Sequence, residues 1–180
     1  MLPSEPLGAG FPLGVERVEL TTHRDDRGSF AEVYRPSWPV SPAPAQWGLT
    51  LSKANTLRGM HVHLEKHDYV VVVSGQMFLG LHDLRPDSRT YRTAAAIVLD
   101  GEDWCAVRIP PGVAHGFYFG ETATVLLGTS HEWSAADEMG CRWDDPALGV
   151  SWPCSAPILS ERDRTTGSYT ALEAELTKKA

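Results

Sequence analysis

Between Trp47 and Leu127 the chain is divided into short extended segments, each closed by a turn signal, and this rhythm restricts the fold more than any other feature. The segments cover residues 47–53, 56–63, 69–73, 77–84, 91–99, 105–109, 115–119 and 122–127. Between them stand Ser74-Gly75, Pro86-Asp87-Ser88, Asp100-Gly101, Pro110-Pro111-Gly112 and Gly120-Glu121. Strands recurring about every ten residues, with no long 3.6-residue period between them, predict an antiparallel sandwich or barrel and argue against βαβ units. Upstream, residues 15–20 begin a β-like alternation, Asp25-Asp26-Arg27-Gly28 reads as a turn, and residues 29–34 are a second extended piece. Pro36, Pro39, Pro42 and Pro44 then forbid a helix.

The C-terminal third is different in kind. Residues 133–138 read as a turn or one helical turn, and Trp143-Asp144-Asp145-Pro146 as a turn. Residues 170–180 predict a short helix, with Thr170 and Glu173 as a capping box, Leu172 and Leu176 on one face, and Glu175 in register with Lys179. The expected organisation is a single domain over 1–180: an arm over 1–14, an all-β core over 15–165, and the terminal helix.

With 180 residues, 42% hydrophobic and 22% charged, the composition suits a soluble domain with one buried core. A formal charge of −7 argues against a nucleic-acid binder, yet leaves room for an anionic small ligand held locally by Arg27, Arg58 or Arg85. No apolar run is long enough to span a membrane, and residues 1–13 lack the basic and apolar regions of a signal peptide. Three cysteines without C-x-x-C spacing, Cys105, Cys141 and Cys154, predict a reduced, cytoplasmic setting.

The stretch richest in chemistry is Leu57-Arg58-Gly59-Met60-His61-Val62-His63, followed by Asp68. On a strand, residues two apart share a face, so His61 and His63 point to one side. Pro110-Pro111-Gly112-Val113-Ala114-His115 supplies another histidine behind a turn. Arg58 and His61 differ by an odd number, so both enter one site only if Gly59 marks a bulge.

Several segments, taken in order, resemble one family: Asp26-Arg27-Gly28-Ser29-Phe30-Ala31-Glu32, Leu57-Arg58-Gly59-Met60-His61, Asp83-Leu84-Arg85 with Ser88 and Thr90, Ile109-Pro110-Pro111-Gly112-Val113-Ala114-His115-Gly116-Phe117, Trp143-Asp144-Asp145-Pro146 with Trp152-Pro153, and Leu159-Ser160-Glu161-Arg162-Asp163. The pattern is similar to that of the dTDP-4-dehydrorhamnose 3,5-epimerases and related nucleotide-sugar epimerases. The resemblance implies a jelly-roll cupin fold, a nucleotide-diphosphate sugar as substrate, no cofactor, and a homodimer that exchanges N-terminal strands. It makes His61 the general base and Asp163 its carboxylate partner, for a proton at C3 or C5 beside a 4-keto group. A histidine suits that task because its ordinary pKa is near neutrality. By the same resemblance Arg27, Phe30 and Glu32 reach the nucleotide, while Arg58 and His115 line the sugar and diphosphate pocket.

The chain departs from the family pattern at two places. Asp68 stands where a lysine is usual, and Trp133, counted back from Trp143 without gaps, stands where a catalytic tyrosine is usual, with Glu132 beside it. His131, Glu132 and Tyr118 are then the candidates for a proton donor on the second face of the sugar. His63 and Asp68 also lead to a rival reading: with His61 and His115 they make a set suited to a divalent transition metal, as in a metal-dependent cupin acting on another small molecule. A non-catalytic nucleotide-sugar-binding cupin is the third reading.

Overall fold

The computed structural model describes residues 4–179. Its strands are β1 (Ser4–Pro6), β2 (Glu16–Glu19), β3 (Thr22–Asp25), β4 (Gly28–Ala31), β5 (Gln46–Ser52), β6 (Thr56–Val62), β7 (Asp68–Ser74), β8 (Gln76–Asp83), β9 (Ala94–Asp100), β10 (Cys105–Ile109), β11 (Val113–Phe119), β12 (Ala123–Thr129) and β13 (Met139–Gly140). Two helices follow, α1 (Glu161–Thr165) and α2 (Tyr169–Lys179). A six-stranded sheet in the order β1-β2-β10-β7-β12-β5 faces a five-stranded sheet in the order β13-β6-β11-β8-β9, and β3 with β4 forms a separate hairpin. All strand pairings are antiparallel. The architecture is the jelly roll of the cupins, as the strand rhythm and the resemblance anticipate.

The apolar run in β7 shows why this sheet is stable. Val70 and Val72 point inward to the central core with Met77, Leu79, Leu81, Val107, Phe119 and Val125. Tyr69 and Val71 point outward but are also buried, under Val33, Trp38 and Val40 of the proline-rich loop. A strand covered on both faces needs no polar alternation, which explains the unbroken valines. A third cluster seats Met60, Val62 and Ala114 against Leu148, Tyr169 and Leu172, so the C-terminal segments cover the outer face of the five-stranded sheet.

Two expectations for the ends change. The arm over 1–14 contributes β1, which pairs with β2 of its own chain, Glu5 opposite Arg17; residues 1–3 lie outside the described part. The terminal helix forms, but its cap comes from Ser168, whose Oγ accepts from the Ala171 N–H at 3.3 Å. Glu173, the expected capping-box acid, instead accepts a hydrogen bond from Arg92 at 2.7 Å. The helix starts one residue before Thr170 because Tyr169 is drawn in to meet His82, its hydroxyl 3.0 Å from Nε2. Glu175 and Lys179 do pair, at 3.8 Å.

The motif Asp83-Leu84-Arg85 with Ser88 and Thr90 is a structural knot. Asp83 is fully buried and accepts from Arg85 Nε at 2.8 Å, Ser88 Oγ at 2.7 Å and Thr90 Oγ1 at 2.6 Å. Burial alone would raise its carboxyl, but the bonds from Arg85, Thr90 and Ser88 outweigh that and hold it at about 2.

Candidate active site

A cavity of about 430 Å³ opens between the sheets. Its floor and walls include Arg58, His61, His63, Lys66, Asp68, His115, Trp133, Glu138, Arg162 and Asp163.

Arg58 and His61 reach it together because β6 is bulged. His115 pairs with His61 and Phe117 with Arg58, so three steps on β6 match two on β11. Gly59 makes this possible. It sits at φ +130°, and a Cβ there would lie 2.6 Å from the Gly116 Cα and 2.9 Å from the His115 carbonyl oxygen.

His61 faces Asp163 with its Nε2 2.7 Å from Oδ1. An ionised carboxylate only accepts, so Nε2 carries the hydrogen and Nδ1 keeps the free lone pair. Asp163 rides on α1, whose N-cap Ser160 accepts from the Asp163 N–H at 3.1 Å and donates to Asp163 Oδ2 at 2.8 Å. Burial pushes the Asp163 carboxyl up, yet the bonds from His61 and Ser160 prevail and it lies below its usual range. Both carboxylate oxygens are thus occupied, which locks the imidazole.

Deeper in the cavity stand His63, Asp68 and His115, all buried, with one ligand atom from each lying within 4.8 Å of the others. Burial lowers His63, and lowers His115 to about 3, keeping both imidazoles neutral. Burial raises Asp68 to about 7. His61 is not part of this trio, since no ring nitrogen of it lies within 4.8 Å of all three ligand atoms, so the four-residue metal set expected from the sequence contracts to three.

Lys66 is not singled out by the sequence, where it sits in a charged connection that reads as a solvated loop. Its side chain is buried, and Nζ donates to Glu138 Oε1 at 2.5 Å. Arg162 donates to the other oxygen of Glu138 at 2.9 Å. Burial acts to raise Glu138, but the bonds from Lys66 and Arg162 outweigh it and hold the carboxyl at about 2. Lys66 thus stands on the cavity wall two residues before Asp68 as half of a buried ion pair.

Other expected residues stand elsewhere. Tyr118 lies between Phe117 and Phe119, which line the cavity, and strand alternation turns it to the other face, where its hydroxyl meets Asn55 at 3.3 Å. His131 is held by Ser130 Oγ at 2.9 Å, and neither it nor the exposed Glu132 lines the cavity, whereas Trp133 does. Arg27, Phe30 and Glu32 lie on or beside the exposed β3–β4 hairpin, outside the cavity of their own chain. Arg27 pairs with Asp25 at 2.6 Å, and Glu32 with Arg35.

The model of the dTDP-4-dehydrorhamnose 3,5-epimerase family matches residues 13–170. The chain belongs to this family. A dTDP-4-dehydrorhamnose 3,5-epimerase of Sinorhizobium fredii is 32% identical over 174 residues, 89% of each chain. Among solved structures, an epimerase of Mycobacterium tuberculosis superposes with a TM-score of 0.87 at 29% identity, covering 97% of this chain and 92% of that one. A 3'-monoepimerase of Streptomyces bikiniensis, solved in complex with dTDP-quinovose, gives a TM-score of 0.80 at 27% identity, over 93% of this chain and 90% of that one. The His61–Asp163 pair lies within two of the segments on which the sequence resemblance rests.

Proposed function

We propose that the protein is an isomerase that epimerises a dTDP-linked 4-keto-6-deoxyhexose in deoxysugar biosynthesis, at C3, C5 or both. The observation that carries this reading is the locked His61–Asp163 pair on the wall of a solvent-accessible cavity. A C–H beside a carbonyl becomes removable when a base is held in place and the enolate oxygen meets positive charge. His61 takes the proton on Nδ1, and Asp163 stabilises the imidazolium through the Nε2–H bond. Arg58 places a cation at the cavity for the enolate or the diphosphate, with His115 also on the wall. The proton then returns from the other face. Because Tyr118, His131 and Glu132 do not line the cavity, that proton comes from water or from another group on the wall. The proton transfer itself requires no redox or group-carrying cofactor.

The same reading makes the protein a homodimer. Strand β5 is the edge of the six-stranded sheet; Gln46, Gly48 and Thr50 face the cavity, while Trp47, Leu49 and Leu51 expose an apolar stripe on the opposite side. A stripe of that kind on an edge strand calls for a cover. Arg27, Phe30 and Glu32, unused in their own chain's cavity, are then available to the neighbour's nucleotide. Free Cys105, Cys141 and Cys154 support a reducing, cytoplasmic setting. Among the described residues no helix is long and apolar enough to cross a membrane.

Incubation with dTDP-4-keto-6-deoxyglucose in deuterated water tests the reading. Deuterium at C3, C5 or both is the expected result. Intact binding of the nucleotide sugar without any exchange would instead make the protein a non-catalytic sugar-nucleotide binder.

A further inference from the structure

His63 and His115 each have one nitrogen committed. His63 Nδ1 lies 2.9 Å from the Asp137 carbonyl oxygen, and His115 Nδ1 lies 3.1 Å from the Val113 carbonyl oxygen. A carbonyl only accepts, so both Nδ1 atoms carry the hydrogen and both Nε2 atoms carry a lone pair. These two lone pairs face the same atom: Asp68 Oδ2 is 3.7 Å from His63 Nε2 and 3.4 Å from His115 Nε2. Three Lewis-basic atoms thus converge at a buried point with no hydrogen supplied by either imidazole.

Something positive belongs between them. A proton on Asp68 would serve one imidazole only, and the separations exceed the 2.5–3.0 Å or so of a hydrogen bond from a hydroxyl. Ligand atoms held about 2.1 Å from a common ion, at angles of roughly 90–120°, are about 3.0–3.6 Å apart. The spacing of 3.4 Å falls in that second range and that of 3.7 Å lies just above it, with all three atoms within 4.8 Å of one another. Backbone carbonyls that fix the Nδ1–H are also how proteins usually orient metal-binding imidazoles. The neighbouring cation does not oppose an ion here, because Lys66 is neutralised by Glu138 at 2.5 Å.

We propose that His63 Nε2, His115 Nε2 and Asp68 Oδ2 form a binding site for one divalent first-row transition metal ion, with its remaining coordination positions open to the cavity. Two imidazoles and one carboxylate on one side of an ion are a donor set for iron, cobalt, nickel, manganese or zinc. His61 is outside the set because neither of its ring nitrogens falls within that 4.8 Å grouping. Only the ion's use depends on the proposed epimerase reading: bound there, it would add Lewis-acid charge at the cavity wall that lost a lysine.

The test uses the full chain, stripped with a chelator and titrated with Co²⁺ while its visible absorption is followed. One ion per chain is expected, with ligand-field bands that report nitrogen ligation and a rise in thermal unfolding temperature. Replacing His63, Asp68 or His115 by Ala should weaken Co²⁺ binding at least about tenfold, the usual order for loss of a ligand or its support. His61→Ala should bind Co²⁺ as the wild type does. Wild-type protein that takes up no Co²⁺, or uptake unchanged in a folded His63→Ala/His115→Ala variant, would overturn the site. Because the readout is binding and not turnover, a failed deuterium exchange on the sugar leaves this result interpretable.

Discussion

Replacing Asp163 by Asn tests the dyad with little disturbance of shape. The oxygen of the new amide still accepts the His61 Nε2–H, and its NH₂ takes the place of Oδ2 beside Ser160 Oγ, which has a lone pair to receive it. Ser160 keeps its bond from the backbone N–H of that position, so α1 remains capped. What is lost is the negative charge that stabilises the imidazolium after proton removal. Asp163 is buried, so water screens that loss poorly. A hydrogen bond to a charged group contributes about 1.5–3 kcal/mol, and about 1.4 kcal/mol is a factor of ten in rate. The rate of solvent deuterium entry into the 4-keto sugar should therefore fall roughly ten- to a hundred-fold. The interaction grows only as the proton moves, so kcat should fall while KM stays near its wild-type value. Quenched-flow mass spectrometry measures the first quantity, and a denaturant melt establishes that the fold is intact. Exchange within about twofold of wild type in a folded Asp163→Asn protein would refute the role given to the carboxylate.

The Asp83 knot predicts an acid-labile contribution to stability. The folded carboxyl lies at about 2 against about 3.9 for an unfolded chain, so its contribution is complete above about pH 5 and is lost as pH falls through 2; the difference is about 2.6 kcal/mol. Denaturant midpoints between pH 2 and 5 should fall more steeply in wild type than in Asp83→Asn, where Glu138 and Asp163 still titrate; equal slopes would contradict it. Gly59→Ala should destabilise the fold by more than about 2 kcal/mol in urea unfolding, because φ +130° and the 2.6 Å approach to Gly116 leave no room for a Cβ. Leu49→Glu places a charge on the exposed stripe of β5 and should yield monomers in light scattering, whereas an unchanged dimer would remove that face from the interface.

Much of this is legible in the residues, for identifiable reasons. The turn signals locate the strands because each is a local conformational requirement. The bulge at Gly59 follows from a parity conflict between Arg58 and His61. The helix α1 gives no such signal: five residues have no measurable apolar period, and Asp163 stands out through its motif alone. Lys66 and Glu138 meet across 72 positions of chain, and nothing near either residue reports the pairing. Tyr118 fails as a candidate acid for the opposite reason: strand alternation, applied from Phe117, already turns it away from the cavity. The histidines are separated only by their hydrogen bonds, with His61 tied to Asp163 while His63 and His115 face Asp68.

The central claim is that His61 is the base that opens a C–H bond beside the 4-keto group. His61→Asn tests it most directly, since the Asn amide keeps a polar side chain at this position but has no basic nitrogen to take a proton. Wild-type protein should incorporate deuterium from solvent at C3, C5 or both, and the folded variant, still binding the nucleotide sugar, should incorporate none. Deuterium entering at the wild-type rate in the His61→Asn protein would contradict the account.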